Sequence, residues 1–192
     1  MVSFAARNLE PYRGFDVFMR ALPEIQARRP GAHAVIIGGE QRGYGPLPPG
    51  GRTWRETMLT ELGDRLDMSR VHFLGRIPHE ALIAVFRLAR AHVYYTYPFV
   101  LSWSLLEAMA AEALIVGSST PPLEEVLRDG VNGVLAPFHD PSALAENVCQ
   151  ALADPGRFIP LRQEARRTVL ENYDLKTICL PGHLGIIARL AG

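Results

Sequence analysis

Short hydrophobic runs alternate with longer amphipathic stretches along this chain. The runs are nearly continuous in Val, Ile and Leu and end at glycine, which indicates strands buried on both faces of a sheet. Six such runs are present, and each is followed by a polar or glycine-containing break. The predicted strands are Val2–Ala6, Ala32–Ile37, Val71–Leu74, Val93–Thr96, Leu114–Val116 and Gly133–Ala136.

The stretches between the runs have the apolar spacing of helices. In the first of them Phe15, Phe18, Leu22 and Ile25 share one face. The predicted helices are Phe15–Arg28, Thr53–Leu66 with a capping box to Glu56, Pro78–Ala91, Ser104–Ala111, Pro122–Arg128, Pro141–Ala153, Phe158–Asn172 and Leu175–Leu190, the last with a break at Pro181-Gly182.

Strands that alternate with helices predict an α/β fold, a doubly wound, Rossmann-like parallel sheet of about six strands. Ligands of such sheets bind beyond the carboxyl ends of the strands, near the switch in strand order. The loops expected at that rim are Arg7–Gly14, Gly38–Gly51, Gly75–Pro78, Tyr97–Ser104 and Gly117–Pro122.

The length and net charge of the chain limit the classes of function that it can have. The 192 residues make one domain, 1–192, or one half of a larger enzyme. Twenty basic residues balance twenty acidic ones, which argues against nucleic acid or an anionic membrane surface as the main partner. No apolar stretch has the length of a membrane span, and no signal peptide is evident, so we expect a cytoplasmic protein. Peripheral membrane association of a full-length enzyme stays open. Cys149 and Cys179 are interpreted as free thiols.

The predicted rim has the chemistry of an anion site. It lacks the glycine-rich phosphate motifs, an Asp-x-Asp pair and any His or Cys spacing typical of a metal site. Arg7 and Arg13 flank the first turn, and Gly14 lets the backbone enter the helix closely. Arg76 follows the third strand, and Glu107 lies in the first turns of a helix whose N-terminus faces the same rim. Guanidiniums beside a helix N-terminus can bind an anion without a metal.

Five segments carry a resemblance to a known family. They are Arg7–Phe15, Ile36–Gly39, Val71–Pro78, Ser104–Ala110 and Glu125–Gly133. In order and spacing they resemble the C-terminal, donor-binding half of family 4 (group 1) glycosyltransferases. That resemblance implies one lobe of the two-lobed GT-B fold and a retaining hexosyltransferase. It also implies a nucleoside-diphosphate sugar as substrate, with no cofactor or bound metal.

The resemblance also implies residue roles. Arg7 and Arg13 would bind the donor diphosphate and stabilise it as it leaves. Glu107 would be the second glutamate of the family's E-x7-E motif and accept hydrogen bonds from the ribose. The backbone around Arg76 and Ile77 would hold the nucleobase. The full donor-binding set implied is Gly14, Gly38, Gly39, Arg76, Ile77, Phe99, Leu101, Ser102 and Trp103.

One position departs from the family pattern. Phe99 stands eight residues before Glu107, where the family places the first glutamate. A phenyl ring cannot accept a hydrogen bond from a sugar hydroxyl. Three alternatives stay open: another group holds the donor sugar, the sugar lies differently, or the chain no longer transfers sugar.

Ordinary structural roles compete with these assignments. Glu107 could close a capping box with Ser104, and Arg76 could pair with Glu80. Arg7 and Arg13 could be solvated. For Trp103 and Phe99 a position in the core or at an interface is favoured over ligand contact, and the role of Tyr44 is open. All six histidines are interpreted as structural or surface residues.

The resemblance implies that an acceptor-binding N-terminal lobe accompanies this one in the full-length protein. We expect the chain to be the donor lobe alone, as a fragment or a short protein. The last helix, about residues 175–190, is expected to pack on the other lobe. Two rival functions remain: a nucleotide-sugar epimerase lobe and a non-catalytic α/β interaction module. The donor sugar, base and acceptor are not predicted.

Overall fold

The computed structural model describes residues 1–98 and 100–191 and contains a six-stranded, all-parallel sheet. The strand order β3-β2-β1-β4-β5-β6 is that of a doubly wound, Rossmann-like sheet, as predicted. Every neighbouring pair is parallel, from Ala34↔Val71 at one side to Val116↔Val134 at the other. The strands are β1 (Val2–Asn8), β2 (Ala34–Gly39), β3 (Val71–Gly75), β4 (Ala91–Tyr94), β5 (Ile115–Ser119) and β6 (Val134–Pro137).

Helices connect the strands and cover both faces of the sheet. They are α1 (Phe15–Arg28), α2 (Trp54–Leu62), α3 (His79–Leu88), α4 (Trp103–Ala110), α5 (Pro121–Glu124), α6 (Pro141–Ala153), α7 (Ile159–Asn172) and α8 (Leu180–Ala191). Short 3-10 turns occur at Pro11–Arg13, Pro49–Gly51, Gly63–Arg65, Met68–Arg70 and Pro155–Phe158, and a π-helical turn at Leu175–Cys179.

Two hydrophobic clusters lie on opposite faces of the sheet. Phe4 and Val93 join the cluster beneath α1, α2 and α6, whereas their neighbours Ala5 and Tyr94 join the one beneath α3, α4, α5 and α7. Successive side chains of a strand point to opposite faces, so each buried strand supplies both cores. This explains why the strand sequences are largely apolar rather than alternating between apolar and polar residues.

Several helix boundaries differ from the prediction. The third predicted helix extends to Ala91, but α3 ends at Leu88 because Ala91 opens β4 and pairs with Val2 of β1. The second ends early, at Leu62, where Gly63 adopts a positive φ of 50°. Its start matches the prediction, since Thr53 and Glu56 form the capping box.

The C-terminal helix is the least packed element. Asp174 caps the π-helical turn, and α8 then starts at Leu180, so the predicted break at Pro181-Gly182 does not occur. The π-helical turn ends two residues before Pro181, so the irregularity of this segment lies before the proline rather than at it. Every residue of α8 is exposed, including Leu184, Ile187 and Leu190.

Both cysteines are free, and Cys149 is buried in α6. Among residues 1–98 and 100–191, no helix has the length and apolar character needed to cross a bilayer.

Candidate functional site

The strand order places the candidate site between β1 and β4. The chain runs outward from β1 through β2 to β3 on one side and from β4 to β6 on the other. The loops after β1 and β4 therefore leave from adjacent strand ends on the same edge, and nothing from the sheet fills the space between them. Two neighbouring cavities lie at this edge.

The larger cavity has a volume of about 470 Å³. It extends from the ends of β1 and β2 to the starts of α3 and α4. Five residues of the predicted site line it: Arg7, Gly38, Arg76, Ile77 and Ser102. Ala5, Ala6, Ile37, Leu82 and Ser104 complete the lining. The cavity is thus an apolar pocket with two guanidiniums and two serines at its wall.

The smaller cavity has a volume of about 140 Å³ and adjoins the larger one. Both are lined by Ala5, Ala6, Arg7 and Ser102. The smaller one adds the cation Arg13 and a set of polar and aromatic side chains: Asn8, Glu10, Tyr44, Tyr94 and Tyr95. Arg7 and Arg13 therefore face one small space, as the sequence predicts.

Arg7 is the exposed cation of this pair. It lies within β1, just before its end, and lines both cavities. In the part of the chain that the structure describes, Arg7 makes no hydrogen bond or ion pair with a protein group. A guanidinium carries five donors, so those of Arg7 can reach a ligand without breaking a contact of the fold.

Arg13 is held in place by the neighbouring loop. Its Nη1 donates to Thr96 Oγ1 and to the carbonyl oxygen of Val100, both at 2.9 Å. Its Cζ lies 5.3 Å from the centre of the Tyr44 ring. The alternative of a merely solvated Arg13 is therefore wrong: the side chain ties the loop after β1 to the loop after β4.

Gly14 permits this close approach. It precedes α1 with a φ of 69°, a left-handed value that costs residues other than glycine free energy. A Cβ added at Gly14 would overlap the Cβ of Tyr95. The start of α1 therefore packs backbone-first against the end of β4, as the predicted role of Gly14 requires.

Arg76 is anchored beside the larger cavity. Its Nη2 donates to Asn8 Oδ1 at 3.1 Å and to Gln41 Oε1 at 2.7 Å. The alternative ion pair with Glu80 is not formed. Gly39 lies directly beneath this contact, since a Cβ there would come within 2.8 Å of Arg76 Nε.

Glu107 lies apart from the two arginines. It lines neither cavity. The predicted convergence on one pocket therefore holds for Arg7 and Arg13 but not for Glu107. Its Oε1 accepts a hydrogen bond from His79 Nε2 at 2.8 Å. Because an ionised carboxylate only accepts, Nε2 carries the proton. Glu107 is one turn from the cavity-lining Ser104, on the same face of α4.

The capping alternative for Glu107 is also wrong. The N-cap of α4 is Ser102 rather than Ser104, and its side chain makes no capping bond. The hydroxyls of Ser102 and Ser104 instead lie 2.6 Å apart. The backbone N–H of Ser102 donates to the Tyr94 hydroxyl at 2.7 Å, which fixes the turn before α4.

The other predicted donor-binding residues near the start of α4 are Leu101, Trp103 and Phe99. Leu101 packs against the cluster beneath α3 and α4. Trp103 is 84% exposed, so it is not a core residue, and its position at an interface with another lobe stays a prediction. At the first position of α4 its side chain points away from the helix packing surface. Phe99 lies outside the described residues.

Several residues of the site were missed by the sequence analysis. Asn8 and Glu10 are buried polar residues within the loop after β1, and Thr96 and Tyr94 hold the loop after β4. His79 is exposed, as interpreted, but its hydrogen bond with Glu107 was not predicted. Polar residues inside the run from Arg7 to Gly14 were the one available signal, because a buried polar side chain needs a partner. Among the described residues, no three His, Cys, Asp or Glu side chains are grouped as metal ligands would be.

Comparisons with known proteins agree with this architecture. D-inositol 3-phosphate glycosyltransferase from Salinispora tropica is 31% identical over 172 residues, which are 87% of this chain and 34% of that protein. The chain spans about a third of the length of this relative and of the same enzyme from Nocardia farcinica. Those relatives are therefore much longer proteins.

Solved structures share the fold. Sucrose-phosphate synthase from Thermosynechococcus elongatus superposes with a TM-score of 0.80 at 23% identity, covering 100% of this chain and 46% of that one. Anabaena HepE in complex with UDP gives a TM-score of 0.76 at 18% identity, and the match covers 97% of this chain and 48% of that one. The chain has the α/β fold of one lobe of a GT-B glycosyltransferase.

The family model described as glycosyl transferases group 1 matches residues 1–154. That match covers the whole sheet and both cavities, and it ends just after α6. The chain therefore belongs to the group 1 glycosyltransferases.

Proposed function

We propose that this chain is the C-terminal, donor-binding lobe of a retaining family 4 glycosyltransferase that uses a nucleoside-diphosphate sugar. The observation that carries the proposal is the placement of Arg7 and Arg13 on one small cavity at the β1/β4 switch. Two guanidiniums at this edge suit a doubly charged diphosphate. The neighbouring 470 Å³ cavity has the size of a small-ligand pocket and would take the nucleoside.

The transfer would proceed by attack of an acceptor hydroxyl on the anomeric carbon. The bond from that carbon to the diphosphate oxygen breaks, the hydroxyl proton is lost, and the nucleoside diphosphate leaves with the bonding electrons. Negative charge grows on the leaving group in an oxocarbenium-like transition state. Arg7 and Arg13 would stabilise that charge electrostatically without a metal ion.

Glu107 would bind the ribose, and the backbone at Arg76 and Ile77 the base. Ile77 and Arg76 line the larger cavity, which supports the second assignment. Glu107 is adjacent through the face of α4 that it shares with Ser104, so a ribose in that cavity would lie within a turn of its carboxylate. Gly38, Gly39, Leu101 and Ser102 complete the proposed donor site.

The acceptor site would lie on a second, N-terminal lobe. The curated relatives are about three times as long as the matched region, which leaves room for such a lobe in them. The exposed Trp103 and the uncovered apolar residues of α8 are the surfaces that this lobe would cover. We place the full-length enzyme in the cytoplasm.

A ligand panel tests the proposal. We expect one of UDP, GDP and ADP, or its sugar conjugate, to raise the melting temperature of the chain, because a ligand that binds only the folded state stabilises it. The matched nucleoside without phosphates should give a smaller shift at equal concentration. No shift with any diphosphate at millimolar concentration would contradict nucleotide binding and favour a non-catalytic interaction module.

A further inference from the structure

Glu10 is a buried carboxylate that lines the smaller cavity. It is 3% exposed and lies in the loop between β1 and α1. Its Oε2 accepts two backbone hydrogen bonds from the loop after β2, from Tyr44 at 2.8 Å and from Gly45 at 2.9 Å. Hydrogen bonds to an ionised acceptor are stronger than neutral ones, so this contact joins the two loops firmly.

The loop after β2 is shaped to reach Glu10. A Cβ at Gly43 would overlap the Glu10 carboxylate, and one at Gly45 would come within 2.7 Å of the Tyr12 ring. Asn8 Nδ2 also donates to the carbonyl oxygen of Arg42 at 3.3 Å. The segment 42–45 therefore lies flat against the loop after β1.

Tyr44 connects this contact to the arginine pair. Its amide is bonded to Glu10, and its ring lies over the guanidinium of Arg13, with 5.3 Å between Cζ and the ring centre. The amide contact with Glu10 fixes the backbone of Tyr44 at this point of the loop. Glu10, Tyr44 and Arg13 all line the same cavity.

We propose that Glu10 is a positioning residue: it holds Tyr44 against Arg13 and so sets how firmly Arg13 binds a diphosphate. The inference rests on the proposed function of Arg13. The Glu10 carboxylate accepts hydrogen bonds from the loop after β2 and need not contact the ligand. A tyrosine face packed on one side of a guanidinium restricts the rotation of the arginine side chain. The side chain then loses less conformational entropy when it binds a ligand.

Amide hydrogen exchange tests the first half of the proposal without any ligand. In the wild-type chain we expect the amides of Tyr44 and Gly45 to be protected. Glu10→Ala removes their acceptor and should speed their exchange at least tenfold, while Glu10→Gln keeps a carbonyl acceptor and should keep most of the protection. Equal exchange in all three proteins would overturn the proposal, whatever the chain binds.

Nucleotide titrations test the second half. UDP, GDP and ADP are each compared with the corresponding monophosphate. Glu10→Ala should weaken the diphosphate about tenfold and the monophosphate far less, and Glu10→Gln should stay within about threefold of wild type. In an Arg13→Ala background, Glu10→Ala should have no further effect, because both changes act through one guanidinium.

The matched control is Glu56→Ala. Glu56 also accepts a backbone N–H, from Thr53 at 2.8 Å, at the far end of the same loop, but has no contact with Arg13. It should leave diphosphate affinity unchanged. If Arg13→Ala weakens a diphosphate and Glu10→Ala does not, the positioning role is wrong and the proposed function stands. If no diphosphate binds the wild type, the proposed function fails and the role of Glu10 in binding fails with it.

Discussion

His79, at the start of α3, and Glu107, in the middle of α4, are joined by a 2.8 Å hydrogen bond beside the larger cavity. His79 is the first residue of α3, and Leu82, one turn further on, lines the cavity. Ser104, one turn before Glu107, lines it from α4. The pair thus connects the cavity-facing sides of two helices and fixes the orientation of the carboxylate.

Glu107 should distinguish ribose from deoxyribose. Glu107→Ala removes an ionised acceptor, so the affinity for a ribonucleoside diphosphate should fall by about 1.5–3 kcal/mol, or roughly 10- to 150-fold. The 2′,3′-dideoxy analogue lacks the hydroxyls that would donate, so its affinity should not change. Isothermal titration calorimetry with both ligands measures the difference.

Glu80→Ala is the control for this prediction. Glu80 is the neighbour of His79 and is exposed on α3. Its loss should change neither affinity. An equal loss of ribose and dideoxyribose binding in Glu107→Ala would count against ribose recognition by this residue.

Gly14 should be intolerant of substitution. Gly14→Ala places a side chain at a φ of 69° and against Tyr95, so we expect a loss of about 3 kcal/mol in the free energy of unfolding. Denaturant unfolding measures it. Gly31→Ala, at a site with nothing within 4 Å, should be nearly neutral. Similar stability of the two variants would show that the start of α1 does not need the close approach.

Most of the fold could be predicted from the sequence because the strands are buried on both faces. Runs such as Leu114–Val116, which is buried throughout, admit few other structures once a glycine break follows them. The boundary at Ala91 was missed because it depends on pairing with Val2, far away in the chain. Local helix spacing carries no information about that contact.

The candidate site was predictable only in part. The carboxyl ends of β1 and β4 had to meet, so Arg7 and Arg13 could be assigned to one rim from their positions. The partners of Arg13 could not, since Thr96 is 83 residues away and bonds through a side chain. The start of α4 was also misjudged, because the Ser104–Glu107 spacing suggests Ser104 as the N-cap and the observed N-cap is Ser102, two residues earlier.

His92 should make stability depend on pH. It is fully buried between Ser3 and Phe86, and burial lowers its pKa to about 3. The unfolded chain binds a proton at this histidine near its usual pKa of 6.5, while the folded chain does not. Stability from His92 is therefore complete above pH 6.5 and falls as pH drops towards 3, by up to about 1.4 kcal/mol per pH unit.

The pH dependence can be isolated by substitution. Between pH 4 and pH 6, His92→Gln should lower the slope of unfolding free energy against pH by up to that amount, whatever its effect on absolute stability. The slope is measured by urea unfolding at several pH values. Identical slopes in the variant and the wild type would show that His92 is protonated in the folded chain.

The arginine pair is tested by calorimetric titration of Arg7→Ala and Arg13→Ala with the nucleoside diphosphate that binds the wild type best. Arg28→Ala serves as control, because Arg28 ends the same α1 helix and pairs with Glu24 and Glu146 away from both cavities. We expect each site variant to bind roughly 10- to 150-fold more weakly and the control to bind as the wild type does. Unchanged diphosphate affinity in the folded Arg7→Ala and Arg13→Ala proteins would contradict a diphosphate site at the β1/β4 edge.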